Sequence, residues 1–171
     1  MEIRALRESD DRSGFRSGDA DLDRFLQKYA GQNQFRHHIG TTYVAVEQDR
    51  IAGYATVAPG HLEVEDFPPA HRKRLPRYPL PILRLARLAV DESMRGRGLG
   101  KHLLRFVLGL SVRMAADFGC AAVVVDAKPG ALSFYEQFGF APLEVIEGQS
   151  QARPAATAMF LPLREIAVAI K

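Results

Sequence analysis

The sequence has no tryptophan, a single cysteine, and five histidines without a metal-ligand spacing. One cysteine, Cys120, excludes an internal disulfide and suits a reducing compartment. It opens an apolar strand, where a small buried core residue is a plainer reading than a nucleophile. Adjacent His37 and His38 diverge on either a helix or a strand, so no metal is expected. No apolar run approaches the roughly 20 residues that span a bilayer, so no membrane association is expected. Residues 1–8 carry charges where a signal peptide needs an apolar stretch, and the expected location is the cytoplasm. Repeats, low-complexity tracts and a second-domain boundary are also missing. With 171 residues, 47% of them apolar and 25% charged, the expectation is one ordinary domain over 1–171 with a substantial core.

Acidic residues are missing from one stretch in particular. Residues 67–90 contain Arg72, Lys73, Arg74, Arg77, Arg84 and Arg87 but no Asp or Glu, six cations in a chain of net charge +3. Such a patch is either a footprint for a polyanion or a solvated basic loop with cations serving a phosphate ligand. Prolines crowd the same region. Six of the ten lie at 59, 68, 69, 76, 79 and 81, which excludes a continuous helix or central strand over residues 59–81. A loop this long within a compact domain is usually functional.

What is present in abundance is glycine and positive charge around one turn. Apolar residues 85–90 read as a buried strand ending at Asp91-Glu92-Ser93. Arg95, Gly96, Arg97, Gly98, Leu99, Gly100 and Lys101 then supply three glycines and three cations. Glycine lets backbone amides converge, and a helix N-terminus adds free N–H groups and its dipole, so the turn is a ready anion site. The cations favour a phosphate, most simply a pyrophosphate. A Walker A loop is excluded, because only three residues lie between Gly96 and Gly100 where four are needed, and His102 follows Lys101 where a Ser or Thr is needed. A dinucleotide fingerprint is excluded too: the turn reads G-x-G-x-G, and Asp117 falls near the helix end.

The remaining pattern divides as follows. Residues 3–6 form a first strand, and Asp19-Ala20-Asp21 starts a helix whose apolar positions are Leu22, Phe25, Leu26, Tyr29 and Ala30. Gly31 and Gln32-Asn33-Gln34 leave its end open. Residues 41–46 and 51–57 make a hairpin through Gln48-Asp49-Arg50, and Gly53 marks a bulge or a close backbone approach. A long amphipathic helix follows the glycine turn and stops at Gly119. Residues 121–125 form a fully apolar strand. Pro129 opens a helix carrying Ala131, Phe134, Tyr135 and Phe138, ended by Gly139. Phe140 and residues 155–163 read as closing strands.

The glycine turn, the Leu-Ala-Val-Asp strand before it and the tyrosine helix after the next strand together resemble the GNAT N-acetyltransferases. That resemblance covers most of the chain. It implies an α/β (α+β) fold with a mixed, mostly antiparallel sheet, splayed at a V-shaped slot between two central parallel strands and flanked by helices. It implies acetyl-CoA as co-substrate, with Leu88, Ala89 and Val90 contacting the pantetheine arm. Arg95, Gly96, Arg97, Gly98, Gly100 and Lys101 would take the pyrophosphate. Tyr135 would protonate or hydrogen-bond the departing thiolate. Read without the resemblance, Leu88 and Val90 are core residues and Tyr135 is an aromatic on an apolar helix face.

The acceptor must be a neutral amine. A lysine of pKa about 10.4 is roughly 3.4 units above pH 7, a handicap near 4.6 kcal/mol, against about 1 kcal/mol for an α-amino group. Strand residues 82–90 carry no Glu or Asp, so the position where some members of the family keep a base offers Arg84 or Arg87 instead, which favours a weakly basic amine. Phe15-Arg16-Ser17-Gly18, Leu22-Asp23-Arg24-Phe25-Leu26 and Leu75-Pro76-Arg77-Tyr78-Pro79-Leu80-Pro81 further resemble the acetyltransferase toxins of bacterial toxin–antitoxin pairs. This narrower resemblance implies aminoacyl-tRNA as acceptor, a ribbon-helix-helix antitoxin as partner, and a homodimer. Arg72, Lys73, Arg74, Arg77 and Arg87 are then the expected substrate contacts. An acetyltransferase of small-molecule amines or peptides, and a CoA-binding module without turnover, are the competing classes.

Overall fold

The computed structural model describes residues 1–144 and 156–170. Strands β1 (Glu2–Ala5), β2 (Thr41–Glu47), β3 (Arg50–Leu62), β4 (Leu80–Val90), β5 (Ala122–Ala127), β6 (Ala141–Pro142) and β7 (Thr157–Pro162) form one mixed sheet in the order β1-β2-β3-β4-β5-β7-β6. The helices are α1 (Ala20–Arg24), α2 (Pro69–Arg72), α3 (Leu99–Asp117), α4 (Leu132–Glu136) and α5 (Leu163–Ala169). The chain gathers into two compact units: Met1–Ala58 with Leu85–Val107, and Pro59–Arg84 with Leu108–Lys171.

In the first unit, β1 pairs antiparallel with β2, and β2 with β3. The β2–β3 turn holds Gln48 and Asp49 both at positive φ, 51° and 61°, the backbone of a two-residue hairpin made without glycine. Opposite it the register slips: Ala45 faces Gly53 and Val46 faces Ile51, so Ala52 is the extra residue of a bulge. Gly53 is also where another backbone comes close, since a Cβ there would lie 3.0 Å from the Ala89 carbonyl oxygen. Bulge and close approach therefore coincide.

Helix α1 starts where the Asp19 carboxylate caps the amides of Asp21 and Leu22 at 2.9 and 3.2 Å, with Asp21 and Asp23 in its first turn. Gly31 does not end it. The helix continues in wider π-type turns through Phe25–Tyr29 and Gln32–His37, closing at His38 in the left-handed conformation. Its apolar face joins Leu6, Phe15, Val44, Ile51 and Tyr54 in one core cluster. Tyr54 is fully buried, and its hydroxyl donates to the Leu22 carbonyl at 2.6 Å, tying sheet to helix.

In the second unit, β7 pairs antiparallel with both β5 and β6. Val123, Val124 and Val125 are buried, as a strand covered on both faces requires. Phe67 and Phe160 meet edge to face at 5.3 Å beside Leu80, Ile82 and Ala122.

Several boundaries depart from the pattern. The stretch from residue 59 is not all irregular: β3 runs on through Pro59 to Leu62, beyond its last pairing with β2 at Thr41–Val57, where a missing N–H costs that ladder nothing. Pro69 begins α2, since the first helical turn needs no proline donor. Strand β4 begins at Leu80 rather than 82, and β6 at Ala141 rather than Phe140. Of the expected closing strand, residue 155 lies outside the described residues, and Leu163 already belongs to α5.

Candidate active site

The turn after β4 is built from short-range capping. The Asp91 carboxylate accepts from the Ser93 amide at 3.0 Å and the Ser93 hydroxyl at 2.8 Å, capping a single 3-10 turn, Glu92–Met94. Its second oxygen accepts from the Arg16 amide at 2.9 Å. Backbone bonds complete the stitch: Glu92 N–H to Arg16 C=O at 2.8 Å, and Asp91 N–H to the bulged Ala52 C=O at 2.8 Å. The Arg95 guanidinium donates to the Ser17 carbonyl. Burial pushes the Asp91 carboxyl up, but the donors from Arg16 and Ser93 and the charge of Arg50 outweigh it and hold it below the usual range. The glycine turn is thus fixed to residues 15–18 from one side and to the β3 bulge from the other.

Gly96 and Gly98 then take φ of 79° and 76°, the left-handed region that L side chains rarely enter. A Cβ on either would meet nothing within 4 Å, so the space over the turn is open. The first bond of α3 runs from the His102 N–H to the Gly98 carbonyl at 3.1 Å, leaving the amides of residues 99–101 without intrahelical acceptors. Open space, free amides and the exposed cations Arg97 and Lys101 fit a pyrophosphate. Gly100 is the second residue of α3. Arg95, expected among the phosphate ligands, braces the turn to Ser17. In β4, Ala89 is buried, while Leu88 and Val90 are half-buried.

Tyr135 lies on α4 in the second unit, 6% exposed, with its ring edge-on to Phe134 at 5.1 Å and Phe140 at 5.5 Å. Burial alone pushes its hydroxyl up to about 12, so it is protonated at neutral pH.

The cations of residues 67–90 divide. Arg72 donates to the Phe67 carbonyl at 2.7 Å and pairs with Glu144, and Arg84 pairs with Asp126 at 3.7 Å. The acid-free stretch is therefore partly neutralised by acids from elsewhere, which a linear charge count does not reveal. The Arg87 guanidinium lies 3.7 Å over the Phe25 ring, a cation–π contact. Lys73, Arg74 and Arg77 are exposed and make no ion pair among the described residues. Cys120 is buried; burial raises its thiol, and Sγ contacts the Ala122 carbonyl oxygen at 3.4 Å. Among the described residues no group of His, Cys, Asp and Glu is placed to hold a metal, and no helix is long and apolar enough to cross a membrane.

A mixed sheet flanked by helices, with a turn of free amides and cations between the fourth strand and a long helix, suits an acyl-CoA-dependent transferase. The acetyltransferase (GNAT) domain family matches residues 38–142, and the chain belongs to that family. The tRNA-acetylating toxin of Mycobacterium tuberculosis is 36% identical over 138 residues, 80% of this chain and 82% of that one. A structure of AtaT complexed with acetyl-methionyl-tRNAfMet aligns at a TM-score of 0.84 with 25% identity over 99% of each chain. AtaTR bound with AcCoA aligns at 0.80 with 26% identity, over 99% of this chain and 98% of that one. This chain is an N-acetyltransferase that uses acetyl-CoA.

Proposed function

We propose that the enzyme transfers the acetyl group of acetyl-CoA to the α-amino group of an aminoacyl-tRNA. In this reading the whole chain is one catalytic domain. The amine nitrogen forms a bond to the thioester carbonyl carbon, the C–S bond breaks, and the Tyr135 hydroxyl gives its proton to the departing sulfur. The attacking nitrogen loses its own proton to solvent, and the tyrosine oxygen takes one back from solvent, which restores the enzyme. Burial raises the hydroxyl to about 12, so at neutral pH it is present as a hydrogen-bond and proton donor, a weaker acid than free tyrosine, and not as a tyrosinate base. Amides of residues 96–101, with Arg97 and Lys101, hold the pyrophosphate, Arg95 holds the turn, and the main chain of Leu88, Ala89 and Val90 carries the pantetheine arm.

The single observation that carries the acceptor is the 36% likeness, across four-fifths of the chain, to a tRNA-acetylating toxin. The free cations Lys73, Arg74 and Arg77 supply phosphate contacts of the kind a tRNA needs. Arg72 is tied to Glu144 and Arg87 lies over Phe25, so neither adds to that set of cations. Strand residues 82–90 hold no carboxylate, which suits an amine that needs no strong base. Silencing by an antitoxin, assembly as a homodimer and a cytoplasmic location belong to the same reading. Labelled acetyl-CoA offered with charged tRNAs, polyamines and peptides tests it. Label on the aminoacyl ester is the expected result; label only on a polyamine or peptide reassigns the acceptor and leaves the acetyltransferase in place.

A further inference from the structure

A second concave site lies wholly within the second unit. It is a cavity of about 280 Å³, small beside the roughly 300–1,000 Å³ of typical ligand pockets. Phe67 and Leu75 wall it from the segment around α2, and Phe160, Pro162 and Ala121 wall it from the sheet. Cys120 and Ala121 precede β5, and Pro162 ends β7. Tyr135 belongs to the helix that follows the other end of β5, and that strand's five steps are about 17 Å long. The cavity is therefore not the place where Tyr135 acts.

Its polar lining is one-sided. Arg74 and Arg164 border it, both exposed, and among the described residues no acidic one lines it. His71 is the third polar group, its ring edge-on to Phe160 at 5.0 Å. The His71 Nδ1 atom is sealed from solvent without a hydrogen-bond partner among the described residues. A sealed N–H without an acceptor is rarer than a bare lone pair, so the proton belongs on Nε2, the ring's remaining donor. Two arginines and one histidine bordering an apolar floor suit an anion with an apolar body. The planar guanidinium fork matches a carboxylate. Cys120, whose thiol is raised by burial and engaged with Ala122, brings no nucleophile, so the site binds rather than reacts.

We infer that this cavity binds a small aromatic or branched aliphatic carboxylate, with its apolar body against Phe67 and Phe160 and its carboxylate on Arg74, Arg164 and His71.

The test titrates phenylacetate into the full-length protein, followed by ligand-observed NMR and calorimetry, beside phenylacetamide and phenethylamine. Phenylacetate is expected to bind saturably at one site, with both uncharged and cationic analogues at least about tenfold weaker, as loss of a charged hydrogen bond requires. Arg164→Gln and Arg74→Gln change exposed side chains and should each weaken phenylacetate by about tenfold with the thermal midpoint unchanged. Saturating acetyl-CoA should leave the affinity as it was. Equal binding of phenylacetamide, unaltered affinity in both variants, displacement by acetyl-CoA, or no saturable binding at millimolar probe would each overturn the inference. None of these outcomes bears on the acceptor, which the labelling experiment decides separately.

Discussion

Gly98 and Tyr135 are the two residues at which the proposed chemistry can be tested by changing one atom or a few. At Gly98 the added Cβ of Gly98→Ala meets no protein atom within 4 Å, so the substitution costs only the strain of φ 76°, about 1–2 kcal/mol. Gly98→Val adds branched carbons in the space over the turn. The expected outcome is a folded protein with acetyl-CoA binding weakened in Ala and lost in Val, read by calorimetry beside circular dichroism. A folded Val variant of unchanged affinity would remove the pyrophosphate assignment. At Tyr135, replacement by Phe keeps the edge-to-face contacts with Phe134 and Phe140 and deletes only the hydroxyl. Turnover should fall about a hundredfold or more at near-normal acetyl-CoA affinity. The same hydroxyl sets a pH dependence. Its folded value, about 12, is above the unfolded one near 10, so its proton stays in place through neutral and mildly alkaline pH. The kcat profile should therefore rise as the acceptor amine deprotonates and show no fall from loss of the tyrosine proton below about pH 10. A descending limb near neutrality that disappears in Tyr135→Phe would contradict the assignment.

At the scale of elements, Asp91 is where three segments meet. It accepts two bonds within its own turn and one from Arg16, and its amide reaches the Ala52 bulge. Asp91→Ala should cost about 1–3 kcal/mol, because three part-buried donors from Arg16 and Ser93 lose a charged acceptor. Acetyl-CoA affinity should fall with it, since the glycine turn loses its anchor. Denaturant unfolding with and without acetyl-CoA separates the two effects. The carboxyl is held below its ordinary value, so its contribution is complete above the unfolded pKa and is lost as pH falls through the folded one. The wild type should lose stability in acid more steeply than Asp91→Ala. Much of this element was legible in advance: the glycine turn follows from residue type, and Gly53 signalled its own bulge and close approach. The brace from Arg95 to Ser17 was not, because it joins residues 78 apart and linear spacing carries no trace of it. The helical path begun by α1 runs past Gly31 in its π-type turns for a related reason. Its apolar face packs on Tyr54 and Leu6, and that burial outweighs the local cost of glycine.

For the whole molecule the question is how net charge reaches a polyanion. The formal charge is only +3, so long-range attraction is weak and placement has to do the selecting. Ion pairing with Glu144 and Asp126 withdraws Arg72 and Arg84 from the basic stretch and leaves Lys73, Arg74 and Arg77 exposed. Changing those three to Gln should raise KM for charged tRNA and flatten its dependence on salt. With a slope near −0.7 to −0.9 per phosphate neutralised, three lost contacts amount to about two to three units of slope. A control triple change at Lys28, Arg36 and Arg113, all exposed, removes the same formal charge elsewhere. If net charge were what mattered, both triples would flatten the salt dependence equally. If the stretch around α2 is the contact surface, only the first will, and Arg72→Gln will instead lower the thermal midpoint by freeing Glu144. Acetyl-CoA affinity should be unchanged in all three, because Arg97, Lys101 and the amides of the glycine turn are untouched. A first triple that acetylates charged tRNA with the wild-type KM at every salt concentration would place the acceptor surface on other residues.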